Sequence, residues 1–258
     1  MKPPVAAVPS TQTGSSAERS LRLLALVAAA EHPLALADLA QHLALPKATA
    51  HRLCMQLLDS GHLVRDVDER SYSAGPALRQ LAFDTLNHGH TRSLRHEVLD
   101  ELVREVGETC NFTTLDGARV LYLDRVEAPW PWRLTLDVGT HVPLHCTASG
   151  KLFLAYMPAA QREQLITELP KAKLTAHTLS TVRALRSECL AIAQQGHALD
   201  REEFIAGLIA LAVPVRSAQG AVRAAVAVHA PTARLSVADA LARLPALNRA
   251  AARLAALL

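Results

Sequence analysis

Residues 34–75 constrain the fold of this chain more than any other stretch of its sequence. Leucines at helical spacing over 36–43 predict a helix, and Leu45-Pro46 ends it because a residue before proline avoids the helical region. Proline is tolerated at the start of a helix, so a second helix is expected over 47–60, followed by a short charged hairpin over 62–73. This order predicts a winged helix-turn-helix, a unit that places its second helix in the major groove of DNA.

The outward-facing side chains of this module form a candidate DNA-binding surface. Short polar and basic groups on the first turns of the second helix can reach base edges and phosphates, and arginines on both arms of the wing can follow the phosphate backbone. Residues 17–75 contain six Lys or Arg and seven Asp or Glu, so any attraction to DNA has to be local. The charge spacing alone fits an ordinary solvated helix face equally well, and the order of the elements is what favours DNA. The predicted DNA contacts are Lys47, Ala48, Thr49, His51, Arg52, Arg65 and Arg70.

Length and composition favour two globular domains. The chain has 258 residues, of which 50% are apolar, and this is enough to bury two separate cores. We expect a disordered tail over 1–16, the winged module over 17–75, a linker helix over 76–90 and a second domain over 91–258. The segment Asn87-His88-Gly89-His90 interrupts the linker. Its two histidines could bind a metal, but a hinge is the preferred interpretation.

Membrane insertion, metal binding and disulfide bonding are not expected. No apolar run approaches the roughly 20 residues of a membrane span, and the first 16 residues lack the apolar segment of a signal peptide. The cysteines lack the spacing of a zinc site or a disulfide framework and are expected to be reduced thiols in a cytoplasmic protein, and neither a metal nor a cofactor is predicted. These cysteines are Cys54, Cys110, Cys146 and Cys189.

The second domain is expected to mix strands and helices in the manner of an α+β sensor domain. Helical spacing predicts a helix over 93–106, and the Asp116-Gly117 turn predicts a hairpin between 109–115 and 119–126. The remaining predictions are strands over 133–138, 208–215 and 222–229, and helices over 149–157, 159–169, 181–195 and 236–258, the last kinked at Pro245.

No complete set of nucleophile, base and orienting group is found, so catalysis is not expected. Ser149-Gly150-Lys151 resembles the end of a phosphate loop, but that loop needs glycine where His145 stands and Ser or Thr where Leu152 stands. An alternative is a small-molecule-converting enzyme with a fused DNA-binding module, using Asp200 or Glu203 as a base, although a solvated loop is the commoner setting for such carboxylates. A structural nucleoid or scaffold protein is the other alternative.

The helix start at 147–151 is a candidate ligand site. Its free N–H groups and small residues could seat a carboxylate, and a purely structural helix cap explains the same residues equally well. His141 and His145 have the spacing of a zinc-binding helix, but Pro143 between them argues against that helix.

Several motifs, taken in order, resemble the IclR (isocitrate-lyase-regulator) family of transcriptional regulators over about residues 18–256. Each motif is moderately specific, and their common order and spacing make the resemblance strong. In the first domain they are Leu45-Pro46-Lys47, His51-Arg52-Leu53, Gly61 and Tyr72-Ser73-Ala74-Gly75. In the second they are Arg133-Leu134, Gly139, Val142-Pro143-Leu144-His145, Ala148-Ser149-Gly150-Lys151, Gly196-His197-Ala198-Leu199-Asp200, Glu203, Gly207 and Ala212-Val213-Pro214-Val215.

The resemblance implies an α+β chain with an N-terminal winged helix-turn-helix, a linker helix and a C-terminal GAF-like α/β effector-binding domain. It implies a ligand-responsive transcriptional regulator that acts as a homodimer or dimer of dimers on a palindromic double-stranded DNA operator. A small organic acid would bind the C-terminal domain and modulate operator binding. The implied effector contacts are Leu134, Val142, Ala148, Ser149, Asp200, Ala210, Ala227 and His229.

The sequence departs from the family pattern at three of these positions. Family members often carry Cys at the position of Ala210 and Ser at those of Ala227 and His229. The alanines remove hydrogen-bond partners and make the pocket more apolar, while His229 adds a donor or a cation. The pocket is therefore expected to suit a carboxylate on a hydrophobic body, for example an aromatic one, better than a short keto acid.

Two further features lie outside these motifs. The usual Thr-Gly before the recognition turn is Leu43-Ala44 here, which is expected to alter packing without removing DNA binding. Trp130 and Trp132 are expected either near the pocket or at an interface.

Overall fold

The computed structural model of the chain describes residues 14–30, 32–66, 70–87, 89–131 and 136–258. The predicted turn of the wing at 67–69, Trp132 and the candidate effector contact Leu134 lie outside these residues. The chain divides into two compact units, Met1–Thr85 and Leu86–Leu258, and each is described by itself.

The N-terminal unit is a winged helix-turn-helix, as predicted. Its elements are α1 (Ser16–Ala29), β1 (Leu34–Ala35), α2 (Leu36–His42), α3 (Lys47–Asp59), β2 (Leu63–Arg65) and β3 (Ser71–Ala74), and its strands form an antiparallel sheet in the order β1-β3-β2. Strand β1 was not predicted, because two residues leave no periodicity and the strand exists only through its pairing with β3. The expected tail over 1–16 is too long at its end, since Ser15 caps α1 by accepting a hydrogen bond from the Glu18 N–H.

Leucines from each helix build the core of this unit. Leu23 of α1, Leu39 of α2 and Leu53 of α3 are completely buried, and Tyr72 of β3 packs against the same cluster. The buried positions of α3 recur at helical spacing, so its opposite face is left to solvent.

The turn between α2 and α3 forms although glycine is absent from it. Ala44 has a φ of 53°, in the left-handed region that favours glycine, at a cost of roughly 1–2 kcal/mol. Backbone hydrogen bonds hold it: the Ala44 N–H donates to the Gln41 carbonyl over 3.1 Å and the Leu45 N–H to the Ala40 carbonyl over 2.9 Å. The turn at Leu43-Ala44 is therefore strained at Ala44 but keeps its backbone hydrogen bonds, and the expectation that DNA binding survives stays a prediction.

Helix α4 (Pro76–Asn87) leads into the C-terminal unit, which is an α/β domain. The unit contains α5 (His90–Val106), β4 (Thr109–Asp116), β5 (Arg119–Val126), β6 (His141–Pro143), α6 (Ala148–Tyr156), α7 (Ala159–Glu168), α8 (Val182–Gln195), β7 (Ala198–Arg201), β8 (Leu208–Arg216), β9 (Val222–Pro231), α9 (Val237–Ala242) and α10 (Leu244–Ala255). Six strands form one antiparallel sheet in the order β6-β5-β4-β9-β8-β7.

The register of this sheet aligns polar residues that are far apart in the sequence. Asp200 on β7 is opposite Ala210 on β8, which is opposite His229 on β9. Two residues before His229 on β9, Ala227 is opposite Asn111 on β4. Helix α6 packs on this sheet together with α8, while α5 and α10 pack on the other face, where Phe112 and Leu123 line a cavity with Leu254.

The sequence predictions from residue 76 onward need four corrections. The predicted strand over 133–138 is not borne out at 136–138, which carry no strand, and 133–135 lie outside the described residues. Strands β6 and β7 were missed, because segments of three and four residues are defined by their partners and not by their own pattern. The predicted linker helix over 76–90 ends at Asn87, and the last helix is broken at Arg243, with Pro245 in the first turn of α10.

Candidate functional site

The outward face of α3 carries the predicted DNA-contacting side chains. Ala50, Leu53, Cys54 and Leu57 face the core, whereas the side chains of its first turns face solvent. No acidic residue lies in the first turn, so the positive end of the helix dipole is not neutralised there. Of the predicted contacts, Lys47, Ala48, His51 and Arg52 are exposed and Thr49 is half-buried.

The wing carries two exposed arginines, and one of them contacts this helix. Arg65 ends β2 and its Nη2 lies 3.7 Å from the Sδ atom of Met55 on α3. Arg70 directly precedes β3, and both arginines are exposed. The arrangement offers basic groups from the helix and from the wing to one polyanion.

A second group of polar side chains lines a cavity of about 30 Å³ in the C-terminal unit. Seven of the eight predicted effector contacts line it, namely Val142, Ala148, Ser149, Asp200, Ala210, Ala227 and His229, and the eighth, Leu134, lies outside the described residues. Thr147 also lines it and belongs to the helix start over 147–151 that the sequence singled out. The sequence interpretation missed Asn111, Val120, Tyr122, Phe204 and Leu208, which lie on strands and in a loop that only the fold brings together.

The start of α6 forms one wall of the cavity. The Thr147 Oγ1 accepts a hydrogen bond from the Gly150 N–H over 3.2 Å and donates one to the Pro143 carbonyl over 2.7 Å. A Cβ atom at Gly150 would lie 2.4 Å from the Leu144 carbonyl oxygen, so only glycine fits there. Ala148 and Ser149 are the first residues of the helix, and their N–H groups have no intrahelical carbonyl to pair with. The structural cap and the free N–H groups are therefore both present.

Asp200 is a buried carboxyl group on the cavity wall. Its Oδ1 accepts hydrogen bonds from the N–H groups of Glu203 over 2.7 Å and Phe204 over 3.4 Å. Burial raises the pKa of Asp200 to about 7, against the opposing effect of the Glu203 N–H. The expectation of a solvated loop is wrong here, because Asp200 and Glu203 are both almost fully buried.

Lys151 and Glu203 form a buried ion pair next to Asp200. The Lys151 Nζ, which is fully buried, contacts the Glu203 Oε1 and lies 3.2 Å from the Glu188 Oε1. Glu202 is also engaged, since its Oε2 accepts a hydrogen bond from the Gly207 N–H over 2.7 Å. Glu202 and Glu203 therefore stabilise the 200–207 loop through these contacts. This role argues against Glu203 as a catalytic base.

His229 is neutral, so of the two roles expected for it, a donor or a cation, the cation is excluded. Burial, together with the charge of Arg125, lowers the pKa of His229 to about 3. Its Nδ1 lies 2.8 Å from the Asn111 Nδ2. Burial likewise raises the pKa of the neighbouring Tyr122 hydroxyl to about 12, so it remains a neutral donor.

The two histidines considered as metal ligands are hydrogen-bonded to other residues of the chain. His141 Nε2 lies 2.8 Å from the Asp116 Oδ2, and His145 Nε2 lies 3.0 Å from the Ala172 carbonyl. Within the described residues no cluster of His, Cys, Asp and Glu could hold a metal ion, and the four cysteines are buried free thiols. Trp130 does not line the cavity: its Nε1 donates to the Gly107 carbonyl and its ring lies under Arg234. None of the described helices is both long and apolar enough to cross a membrane.

A winged helix-turn-helix in one unit and a buried polar cavity in the other define the class of DNA-binding regulators that carry a ligand-binding domain. The family model for the IclR helix-turn-helix domain matches residues 16–67. The model described as bacterial transcriptional regulator IclR C-terminal matches residues 83–256. The chain therefore belongs to the IclR family of bacterial transcriptional regulators, and the sequence resemblance is confirmed.

Known proteins are similar over almost the whole chain. The probable transcriptional regulator SauR of Cupriavidus necator is 41% identical over 242 residues, which cover 94% of this chain and 96% of that protein. The IclR structure of Thermotoga maritima has a TM-score of 0.63 at 22% identity and covers 93% of this chain and 97% of its own. An IclR homologue of Microbacterium hydrocarbonoxydans, solved in complex with 4-hydroxybenzoate, has a TM-score of 0.59 at 23% identity, with coverages of 95% and 99%. The two solved structures show a shared fold, and the matched domains and curated relatives are transcriptional regulators, so the enzyme alternative is not supported.

Proposed function

We propose that α3 and the wing bind a double-stranded operator, and that a small organic acid in the cavity of the C-terminal unit changes this affinity. The observation that carries the proposal is the convergence of seven predicted contacts on one cavity, beside an α6 start with free N–H groups. The contacts proposed for DNA are the exposed basic and polar side chains at the start of α3 and Arg65 and Arg70 of the wing.

The acid's carboxylate is proposed to lie at the start of α6. The N–H groups of Ala148 and Ser149 and the hydroxyl of Ser149 offer donors, and the positive end of the helix dipole favours an anion. Asp200 supports this assignment below pH 7, because a protonated carboxyl group donates a hydrogen bond instead of repelling the acid. Val120, Val142 and other apolar walls would contact the body of the molecule.

The size of the cavity favours a compact body over the aromatic one expected from the sequence. Its volume of about 30 Å³ is far below the roughly 300–1,000 Å³ of pockets for drug-sized ligands, so a ring would require the walls to move apart. The complex of the Microbacterium relative with 4-hydroxybenzoate supports the aromatic alternative for this fold. We therefore propose a compact acid first and an aromatic acid second.

The operator is proposed to be palindromic and read by a homodimer or a dimer of dimers. Helix-turn-helix dimers place their two reading helices in successive major grooves, roughly 34 Å apart, and the acid would act by changing that separation. A ligand can shift this equilibrium only by as much as its affinities for the two arrangements differ.

The test is fluorescence anisotropy on the chain's own upstream intergenic DNA, with and without a panel of compact and aromatic carboxylates. We expect binding that weakens steeply with salt and an affinity that changes when one acid of the panel is added. An absence of binding below roughly 50 mM salt, where phosphate contacts are strongest, would contradict the DNA assignment. Binding that no carboxylate alters would contradict the acid assignment.

A further inference from the structure

A second cavity of the C-terminal unit lies on the face of the six-stranded sheet on which α5 and α10 pack, and its volume is about 210 Å³. Its inner wall consists of Phe112, Leu123, Ala224 and Leu254, and we call it the Phe112 cavity. Successive side chains of a strand point to opposite faces of its sheet, so Asn111 of β4 lines the cavity proposed for the acid, here the acid cavity, while Phe112 lines this one. The sheet therefore separates the two cavities.

The inner wall of the Phe112 cavity is apolar. Its four side chains are all buried, in a protein interior that normally leaves few voids larger than a water molecule. Water is a poor occupant of such a space, because each molecule needs two to four polar partners. An apolar cavity of about 150 Å³ is enough to take up benzene, so this one has room for an apolar body the size of one ring.

The mouth of the Phe112 cavity carries a cation without a counter-ion. Arg223 lines the cavity and is exposed, and no ion pair joins its guanidinium to another residue in the described ranges. Arg95 also lines the cavity, but it is buried and its charge is compensated, because its Nε lies 3.1 Å from the Asp124 Oδ2. No Asp or Glu is among the described residues of the lining. The charge at the mouth therefore favours an anion and disfavours a cation.

The sheet fixes Arg223 at the edge of the apolar space. The Thr114 Oγ1 donates a hydrogen bond to the Arg223 carbonyl over 2.9 Å, and Ala224 is opposite Thr114 in the register of β4 and β9. The methyl group of Ala224 leaves room that a larger side chain would fill. A cation thus lies one residue away from the space for a ring.

We propose that the Phe112 cavity is a second ligand site, which takes an organic anion with an apolar body about the size of one ring. The body lies against Phe112 and Leu254, and the Arg223 guanidinium pairs with the anionic group at the mouth. The site is independent of the proposed acid effector, because the acid cavity, at about 30 Å³, lies on the other face of the sheet and has no room for a ring.

The test is titration calorimetry of the full-length Ser149→Trp variant, in which the acid cavity is filled. The probes are benzoate, benzyl alcohol, which has the ring without the charge, and acetate, which has the charge without the ring. We expect benzoate to bind at least about tenfold more tightly than either of the others, the size expected for one charged hydrogen bond or for the burial of a ring. Equal affinities for benzoate and acetate would overturn the proposal.

Two substitutions in the same background separate the charge from the ring. Arg223→Gln should weaken benzoate binding about tenfold and leave benzyl alcohol within about twofold, whereas Arg183→Gln, which changes an exposed arginine of α8, should alter neither. Ala224→Leu fills part of the Phe112 cavity and should weaken both ring probes about tenfold. Equal benzoate affinities in Arg223→Gln and Arg183→Gln would contradict the assignment of Arg223.

The position of the ligand can be measured without a variant that has to fold. Crystals of the natural protein soaked with 4-bromobenzoate should show an anomalous bromine peak between Phe112 and Leu254. A peak in the acid cavity only, or no peak, would overturn the proposal. Because the readout is binding and not operator affinity, none of these outcomes contradicts the proposed effect of a compact acid on the operator.

Discussion

The two polar surfaces of this protein are built in opposite ways. On α3 the proposed DNA contacts are almost consecutive, from Lys47 to Arg52, and all of them except the half-buried Thr49 are exposed. In the C-terminal unit the residues that line the cavity are buried or half-buried and come from six strands, the start of α6 and the 200–207 loop, between Asn111 and His229. The first surface interacts with a large polyanion through solvated groups, whereas the second can hold only a small molecule with matched hydrogen bonds.

Substitutions on the two surfaces should therefore have different effects on stability and binding. A side chain on the exposed face can be removed at little cost to folding, because it supports nothing beneath it. A buried polar group in the cavity wall holds its neighbours in place, so its removal affects stability as well as binding.

Breaking the buried ion pair should have the largest effect. Glu203→Ala leaves Lys151 buried with Glu188 as its remaining carboxylate, and we expect the free energy of unfolding of the C-terminal unit to fall by about 3–5 kcal/mol. Urea unfolding followed by tryptophan fluorescence measures it, because both tryptophans, Trp130 and Trp132, belong to this unit. The control is Glu168→Ala, an exposed position on α7, and a loss below about 1 kcal/mol in Glu203→Ala would contradict the account.

Filling the cavity should separate the two functions. Ser149→Trp places a large side chain at the start of α6, and we expect acid affinity to fall by about 100-fold or more, equivalent to roughly 2.7 kcal/mol, because the cavity has no spare volume. Operator affinity without acid should stay within about twofold of the natural protein. The matched control is Ser187→Trp on the exposed face of α8. An acid response that persists in Ser149→Trp would place the ligand elsewhere.

Removing one arginine from α3 should have an intermediate effect confined to DNA. Arg52→Ala should weaken operator binding by about 1–3 kcal/mol and leave acid affinity unchanged, as measured by anisotropy and calorimetry. Arg183→Ala, another exposed arginine but on α8 of the C-terminal unit, should leave operator binding unaltered. Equal affinities of Arg52→Ala and the control would reject the assignment of the recognition helix.

The pH dependence of acid binding should give the smallest effect. Because the pKa of Asp200 is raised to about 7, this group is mostly protonated at pH 6 and mostly charged at pH 8, and its charge repels a carboxylate in the same cavity. Acid affinity should therefore fall as the pH rises through 7, by at most about tenfold per pH unit for one proton. His229, with a pKa of about 3, stays neutral over this range.

Asp200→Asn is the check on this assignment. It should flatten the profile between pH 6 and 8 in calorimetric titrations, while keeping a side chain of the same shape. An affinity that rises with pH in the natural protein, or an unchanged slope in Asp200→Asn, would contradict it.

More of the N-terminal unit than of the cavity could be predicted from the sequence. The bounds of α3 were predicted within one residue, because helical spacing, Leu45-Pro46 and the glycine at its end are local signals. The neutral state of His229 was not predictable, since it depends on Asn111, which is more than 100 residues away in sequence and becomes a neighbour only through the sheet.

The cavity residues themselves came from the family resemblance and not from their spacing. Nothing in the local pattern around Asp200 separates a buried carboxyl from a solvated one, and the burial follows from pairing of β7 with β8. The Lys151–Glu203 ion pair could not be predicted for the same reason, because its two residues lie far apart in sequence. In the sequence, Lys151 looks like an ordinary surface lysine.

Binding of the acid and binding of the operator should be coupled, and reciprocal titration measures this coupling directly. The acid's Kd is determined with the free protein and with the protein saturated by operator, and the operator's Kd with and without saturating acid. Linkage requires that both ratios be equal, and we expect a common factor of about 5–150. A ratio of one in both titrations, with acid and DNA each bound, would show two independent sites and contradict the account.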